Sequence, residues 1–342
     1  MQKIEFGSTG LVIEKNGFGC LPIQRISETE AVKLLHKACD GGINFFDTAR
    51  AYSDSEQKVG AAFSGMRDRI VLATKTGAQT AEGFWRDLET SLRTLKTDYI
   101  DIYQFHNPAF CPKPGGDDGL YDAALEAKKQ GKIRHISITN HRLAVAHEAI
   151  DSGLYETLQF PFSYLAGEQE LELVRKCREK DMGFIAMKGM AGGLIRDGFT
   201  AAAWMAQQEG VVPIWGVQRE QELDQFLQCI REGAELTPER QERVERDRKE
   251  LCGEFCRGCG YCMPCPAGIE INQCARMSLM LRRAPAKEWL TEQWQQKMHR
   301  IEECRHCGHC TSKCPYGLNT PELLQANYKD YWQVLAQSKE EK

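Results

Sequence analysis

The sequence predicts an α/β protein: a (β/α)8 TIM barrel followed by a small, mainly α-helical, cysteine-rich domain. Three observations carry this. Eight short apolar runs alternate with amphipathic stretches over about the first 235 residues, the count and length that such a barrel needs. No G-x-G-x-x-G opens a helix after the first strand, as the rival doubly wound sheet would want. Ten of the fifteen cysteines then fall between positions 252 and 314, after the alternation has ended.

The expected strands are GFGCLPI (17–23), NFFDTA (44–49), IVLATKT (70–76), DIYQFH (101–106), IRHISITN (133–140), TLQFPFS (157–163), GFIAMKG (183–189) and VPIWGV (212–217). Between the first two, SETEAVKLLHKACDGG (27–42) sets Ala31, Leu34, Leu35 and Ala38 at one-face helical spacing, and Gly41-Gly42 stops it. EGFWRDLETSLRTLKTD (82–98) repeats the pattern with Trp85, Leu88, Leu92 and Leu95. TPERQERVERDRKEL (237–251) reads as a charged connecting helix anchored by Val244 and Leu251. The expected division is therefore a barrel at 1–236, the connecting helix at 237–251 and the cysteine-rich domain at 252–342. Within the last, Met277, Met280, Leu281, Trp289, Trp294, Met298 and Ile301 stand among helix formers, so the segment 269–303 is expected to be helical.

A chain that is 42% hydrophobic and 27% charged can bury a large core, and a net charge of −4 gives no reason to expect nucleic acid as a partner. No apolar run approaches the roughly 18 residues of a membrane span. MQKIEFGSTG lacks the features of a signal peptide, so a soluble cytoplasmic protein is expected. Cys20, Cys39, Cys111, Cys177 and Cys229 are scattered without metal-ligand spacing and read as filler.

The other cysteines are organised. Cys304-x2-Cys307-x2-Cys310-x3-Cys314-Pro315 has the spacing of bacterial-type ferredoxins, in which three close cysteines hold one iron–sulfur cubane and the fourth ligates the other. Cys256-x2-Cys259-x2-Cys262-x2-Cys265-Pro266 is a second copy, one residue shorter in its last gap. A zinc ribbon takes four ligands from two knuckles and gains nothing from a third cysteine in each. By analogy with two-cluster ferredoxins, Cys256, Cys259 and Cys262 pair with Cys314, and Cys304, Cys307 and Cys310 with Cys265. The short last gap leaves Cys252 and Cys274 as substitutes for Cys265. The helical insert suggests an α-helical ferredoxin-like arrangement.

In GINFFDTARAYSDSE (42–56), Asp47 ends a strand and Tyr52 lies in the loop after it; Lys75 and His106 end the next two strands. Catalysis in a barrel sits at this carboxyl face. A phenol with a pKa near 10 is a poor proton carrier at neutral pH, and a nearby lysine cation is expected to lower that value, with a carboxylate to orient the lysine. A histidine can then position a carbonyl oxygen.

Taken with TKT, FHN, SITN and LQFPFS in the same order, these motifs resemble the aldo-keto reductase superfamily over residues 1 to about 236. With its tail the chain resembles the subset carrying a C-terminal double 4Fe-4S domain. The resemblance implies a catalytic tetrad of Asp47, Tyr52, Lys75 and His106, with Tyr52 the general acid. It implies NAD(P)H binding, with Asn140 and Gln159 at the nicotinamide carboxamide and Thr139 beside them. Met187-Lys188-Gly189 departs from the aromatic-Ser-Pro usual on strand seven, so no ring stacks on the nicotinamide. Met187 is expected to pack there instead, and Lys188 to serve as a phosphate contact or a substrate-site cation. Gly192, Gly193 and Gly216 fit close approach to a pyrophosphate. Arg219 is the candidate for a 2′-phosphate, although Gln218 and Glu222 weaken that preference.

The leading expectation is an oxidoreductase for a carbonyl–alcohol pair. Its two 4Fe-4S clusters would exchange electrons with a ferredoxin or flavodoxin-type carrier. The alternatives are an electron-transfer or assembly subunit whose barrel is a docking scaffold, or clusters that only clamp the tail.

Overall fold

A computed structural model describes residues 2–251, 255–283 and 286–340. The chain divides into two compact units, Met1–Gly189 with Asp197–Val244, and Met190–Arg196 with Glu245–Lys342.

The first unit opens with a hairpin that sequence patterning does not foresee, β1 (Lys3–Glu5) paired antiparallel with β2 (Val12–Glu14). Asn44 pins it to the start of a barrel strand, accepting from Glu14 N at 2.7 Å and donating to Val12 O at 3.1 Å. Eight parallel strands follow: β3 (Gly17–Gly19), β4 (Phe45–Asp47), β5 (Val71–Thr76), β6 (Ile100–His106), β7 (Ile133–Thr139), β8 (Thr157–Pro161), β9 (Gly183–Met187) and β10 (Val211–Gly216). They close into a barrel, with β10 pairing back onto β3. Each overlaps one of the eight runs expected from the sequence.

The barrel helices form for local reasons. Helix Glu28–Asp40 begins at a Ser27 capping box with Glu30, buries Ala31, Leu34, Leu35 and Ala38, and ends at Gly41. Helix Ala81–Leu95 is capped by Thr80 and buries Phe84, Leu88, Leu92 and Leu95. Phe84 heads the stripe in place of Trp85, which lies half-buried under the Lys132 ammonium. Phe6, Phe45, Ile102, Ile185 and Val212 share one apolar cluster in the barrel, each worth ~1.5–3 kcal/mol when fully buried.

Helix Pro238–Glu250 carries the charged run, and its expected anchors Val244 and Leu251 are both buried. The second unit is mainly helical as far as it is described: Ile271–Cys274, Met277–Arg283, Ala286–Trp289, Glu292–His299, His309–Lys313 and Thr320–Glu340. Ile269, Met277, Met298, Ile301, Leu324 and Tyr331 fill its core. The two cysteine motifs share one turn geometry between their first three cysteines. Gly258 and His306 have φ of +64° and +48°, and Gly260 and Gly308 have +83° and +73°. No helix among the described residues is long and apolar enough to cross a membrane.

Candidate functional site

Strand register assembles the polar groups at the carboxyl end of the barrel. Asp47 pairs with Ala73, Lys75 with Gln104, His106 with Thr139, and Thr139 with Gln159. Because side chains alternate faces along a strand, Gln104 and His106 share one face of β6. Lys75 Nζ lies 2.6 Å from Asp47 Oδ2 and 2.6 Å from Thr48 O, with both side chains of the ion pair almost wholly buried. Asp47 also accepts from Gln104 Nε2 at 2.9 Å and from Gln159 Nε2 at 3.4 Å. Sequence reasoning missed Gln104. Its signal was a single amide in an otherwise apolar strand, two residues before His106.

The Tyr52 ring meets His106 edge to face, centroids 5.9 Å apart at 85°, and Lys75 Nζ lies 5.1 Å from its centroid. All four tetrad candidates are thus brought together. Their protonation differs from expectation at one point. Burial, followed by the Asp47 and Cys20 charges, pushes the Tyr52 phenol up rather than down, while Lys75 directs its hydrogen bonds to Asp47 and Thr48. Burial and the Lys75 cation push His106 down to about 3, so its ring is neutral. Burial raises the Asp47 carboxyl, and Lys75, Gln104 and Gln159 pull it back.

The remaining cofactor candidates are placed less uniformly. Gln159 Oε1 is buried and has no hydrogen-bond partner. Thr139 and Asn140 are buried on the same register, but Asn140 Oδ1 already accepts from His141 N and Arg142 N, and its Nδ2 donates to Pro108 O. Met187 is half-buried at the end of β9. Lys188 has a φ of +60°. Gly193 N donates to Met190 O, and Gly192 O accepts from Arg276 Nη2 at 2.8 Å, both within the second unit. Gly216 is exposed at the end of β10. Arg219 is held by Glu222 at 2.6 Å.

In the second unit, Cys265, Cys304, Cys307 and Cys310 line one hollow, the set expected for one cluster. Burial pushes the Cys256 thiol up, and neighbouring Cys259 and Cys314 add to this. Gly258 N donates to Cys256 Sγ at 3.4 Å. Among the described residues no three His, Cys, Asp or Glu groups converge on a point fit for one metal ion. Cys274 is fully buried and donates to Lys297 O at 3.8 Å. Cys252 lies outside the described residues. Cys20, Cys39, Cys111, Cys177 and Cys229 are all buried, as filler would be.

The profile of the aldo/keto reductase family matches residues 6–202, and that of a 4Fe-4S dicluster domain matches residues 255–319. The oxidoreductase YqkF of Bacillus subtilis is 30% identical over 211 residues, 58% of this chain and 67% of its own length. L-galactose dehydrogenase of Arabidopsis thaliana is 30% identical over 223 residues, covering 58% of this chain and 69% of that protein. A solved aldo/keto reductase from Klebsiella pneumoniae, in complex with NADP and acetate, is 25% identical with a TM-score of 0.61. The match covers 71% of this chain and 94% of that one.

Proposed function

Because the chain belongs to the aldo/keto reductase family and carries a 4Fe-4S dicluster domain, we propose that this oxidoreductase interconverts a small carbonyl compound and its alcohol at Tyr52. Two 4Fe-4S clusters, when held by the cysteines of the second unit, would supply single-electron exchange with an outside carrier of ferredoxin or flavodoxin type. In this reading the barrel spans 1–236, the connecting helix 237–251 and the cluster domain 252–342. The observation that carries it is the buried Lys75–Asp47 pair, 2.6 Å apart, beneath a tyrosine packed on a neutral histidine.

In the reducing direction Tyr52 gives its proton to the substrate oxygen. Burial favours that direction by holding the phenol protonated until it is needed. The phenolate left behind faces Lys75, which Asp47 holds in place. His106, carrying no charge, donates a hydrogen bond to the same oxygen and orients the carbonyl. A nicotinamide cofactor, when bound, supplies or accepts the hydride. The orphaned Gln159 Oε1 fits an amide N–H such as that of the nicotinamide carboxamide. Thr139, Asn140, Met187, Lys188, Gly216 and Arg219 are its further contacts in this reading. Cys256, Cys259, Cys262 and Cys314 hold one cluster; Cys304, Cys307, Cys310 and Cys265 hold the other.

The test is an anaerobic screen of carbonyl and alcohol substrates, following nicotinamide oxidation and cluster bleaching together. We expect thermal stabilisation by NADH or NADPH. Tyr52→Phe should lose at least ~10²-fold in turnover with the cluster absorption unchanged. Turnover that survives Tyr52→Phe removes the tetrad mechanism. Indifference to both nicotinamides leaves the barrel as a docking scaffold.

A further inference from the structure

The two cysteine motifs repeat one turn between their first cysteines but set different residues in it, and that difference admits a charge. In the first copy the position of positive φ between the first two cysteines is Gly258; in the second it is His306, whose side chain is exposed. The space that a side chain would take at Gly258 is filled by the guanidinium of Arg276, with which a Cβ there would collide. Arg276 is 4% exposed. Its Nη2 donates to Gly192 O at 2.8 Å and reaches Met280 Sδ at 3.5 Å, while its Nε has no partner. Among the described residues no carboxylate forms an ion pair with it. Burial of an arginine without a counter-anion is costly, and the turn that its guanidinium fills at Gly258 lies two residues after Cys256, whose sulfur is anionic when bound to iron. The second motif has only exposed cations, Arg305 and Lys313, which water screens, and its Cys307 is itself exposed.

We propose that Arg276 sets the reduction potentials of the two clusters apart, raising that of the cluster held by Cys256, Cys259, Cys262 and Cys314 above that of its neighbour. The inference rests on the cluster assignment given above. Each cluster gains one electron on reduction, 2+ to 1+ in its core, with no bond made or broken, so the added charge is negative and a buried cation beside it stabilises the reduced form. Electrons entering at the exposed Cys307 cluster then run downhill to the Arg276 cluster. Arg276 is a positioning residue as well, since it ties the Met190–Arg196 loop, which follows β9 in the chain, to the motif turn.

The test is an anaerobic redox titration of the whole protein with dithionite, read by electron paramagnetic resonance. Two one-electron signals are expected, and the first to appear should be the less relaxed by an external dysprosium chelate, because the Cys307 cluster lies nearer the surface. Arg276→Gln should lower the reduction constant of that first cluster about tenfold, 59 mV for one electron, and leave the second within a third of that. Arg276→Lys should keep most of the potential. Equal shifts in both clusters, no shift in either, or a first signal that is the more strongly relaxed overturns the proposal. Loss of the clusters from Arg276→Gln leaves the order of reduction in the unaltered protein to decide it. Absence of any cluster signal in the unaltered protein removes the cluster assignment instead.

Discussion

Each unit of the molecule buries a cation, and the two are buried on different terms. Lys75, in the barrel, is 1% exposed and finds both a carboxylate and a carbonyl at 2.6 Å within the protein. Arg276, in the cluster unit, is 4% exposed and finds one carbonyl, one thioether and no carboxylate among the described residues. The first charge is complete in the polypeptide alone, as suits a site that must hold a proton at a fixed place. The second is complete only when the thiolates beside it are anionic, as they are on iron. The barrel should therefore fold the same way with or without its cofactor, whereas the cluster unit should depend on its own.

The largest effect should come from breaking the self-sufficient pair. Lys75→Met leaves the buried Asp47 carboxyl without its cation, among amides alone, and removing one member of a buried pair costs about 3–5 kcal/mol. Asp47→Asn should cost a similar amount from the other side. The double variant should recover a large part of the loss, because no uncompensated charge remains. Thermal melts of the three variants measure this. Strict additivity of the two single losses would show that the pair is not coupled, and the contrast with Arg276 would fall with it. All three variants should retain the cluster absorption.

A middle-sized effect concerns His106, which connects to the comparison because Lys75 is one of the two causes that hold its ring neutral. With its folded value near 3 and an unfolded one near 6.5, the ring is neutral throughout the working range. The sign follows: its contribution to stability is fully present above about pH 6.5 and is lost as the pH falls toward about 3, because the unfolded chain then binds the proton first. The pH profile of kcat/KM should show no break near 6.5. A break there that His106→Gln abolishes would mean that the ring is charged in the free enzyme. In Lys75→Met the value should rise, so residual activity should become sensitive to mild acid.

Which parts of this were legible from the sequence follows from where each signal lies. The eight barrel strands were readable because parallel strands covered on both faces are nearly unbroken apolar runs. Asp47, Lys75 and His106 stood out as polar residues ending such runs. The β1–β2 hairpin did not, since three-residue strands barely complete one period of alternation. Gln104 hid inside an apolar strand, where one amide reads as noise until register sets it beside Lys75. The cysteine spacings suggest both ligand groups, and spacing alone leaves Cys274 beside them. Arg276 was invisible for a different reason. Its place depends on the missing side chain of Gly258 and on the carbonyl of Gly192, 84 positions away in the chain.

The smallest effect lies at the surface, where the same chemistry is worth least. Arg219 and Glu222 form an ion pair 2.6 Å apart with the arginine side chain 72% exposed. Such pairs contribute about 0.2–1 kcal/mol, so releasing Arg219 changes little in stability but frees its guanidinium. If Arg219 reads the 2′-phosphate of the cofactor, Glu222→Gln should improve the KM for NADPH relative to NADH by up to about fivefold, the ceiling that this pair energy allows. It should leave kcat alone, because nothing at Tyr52 is touched. An unchanged ratio of the two KM values would show that Arg219 faces solvent in the complex. The barrel would then take its phosphate contact from Lys188, and Lys188→Met should move the ratio where Glu222→Gln did not.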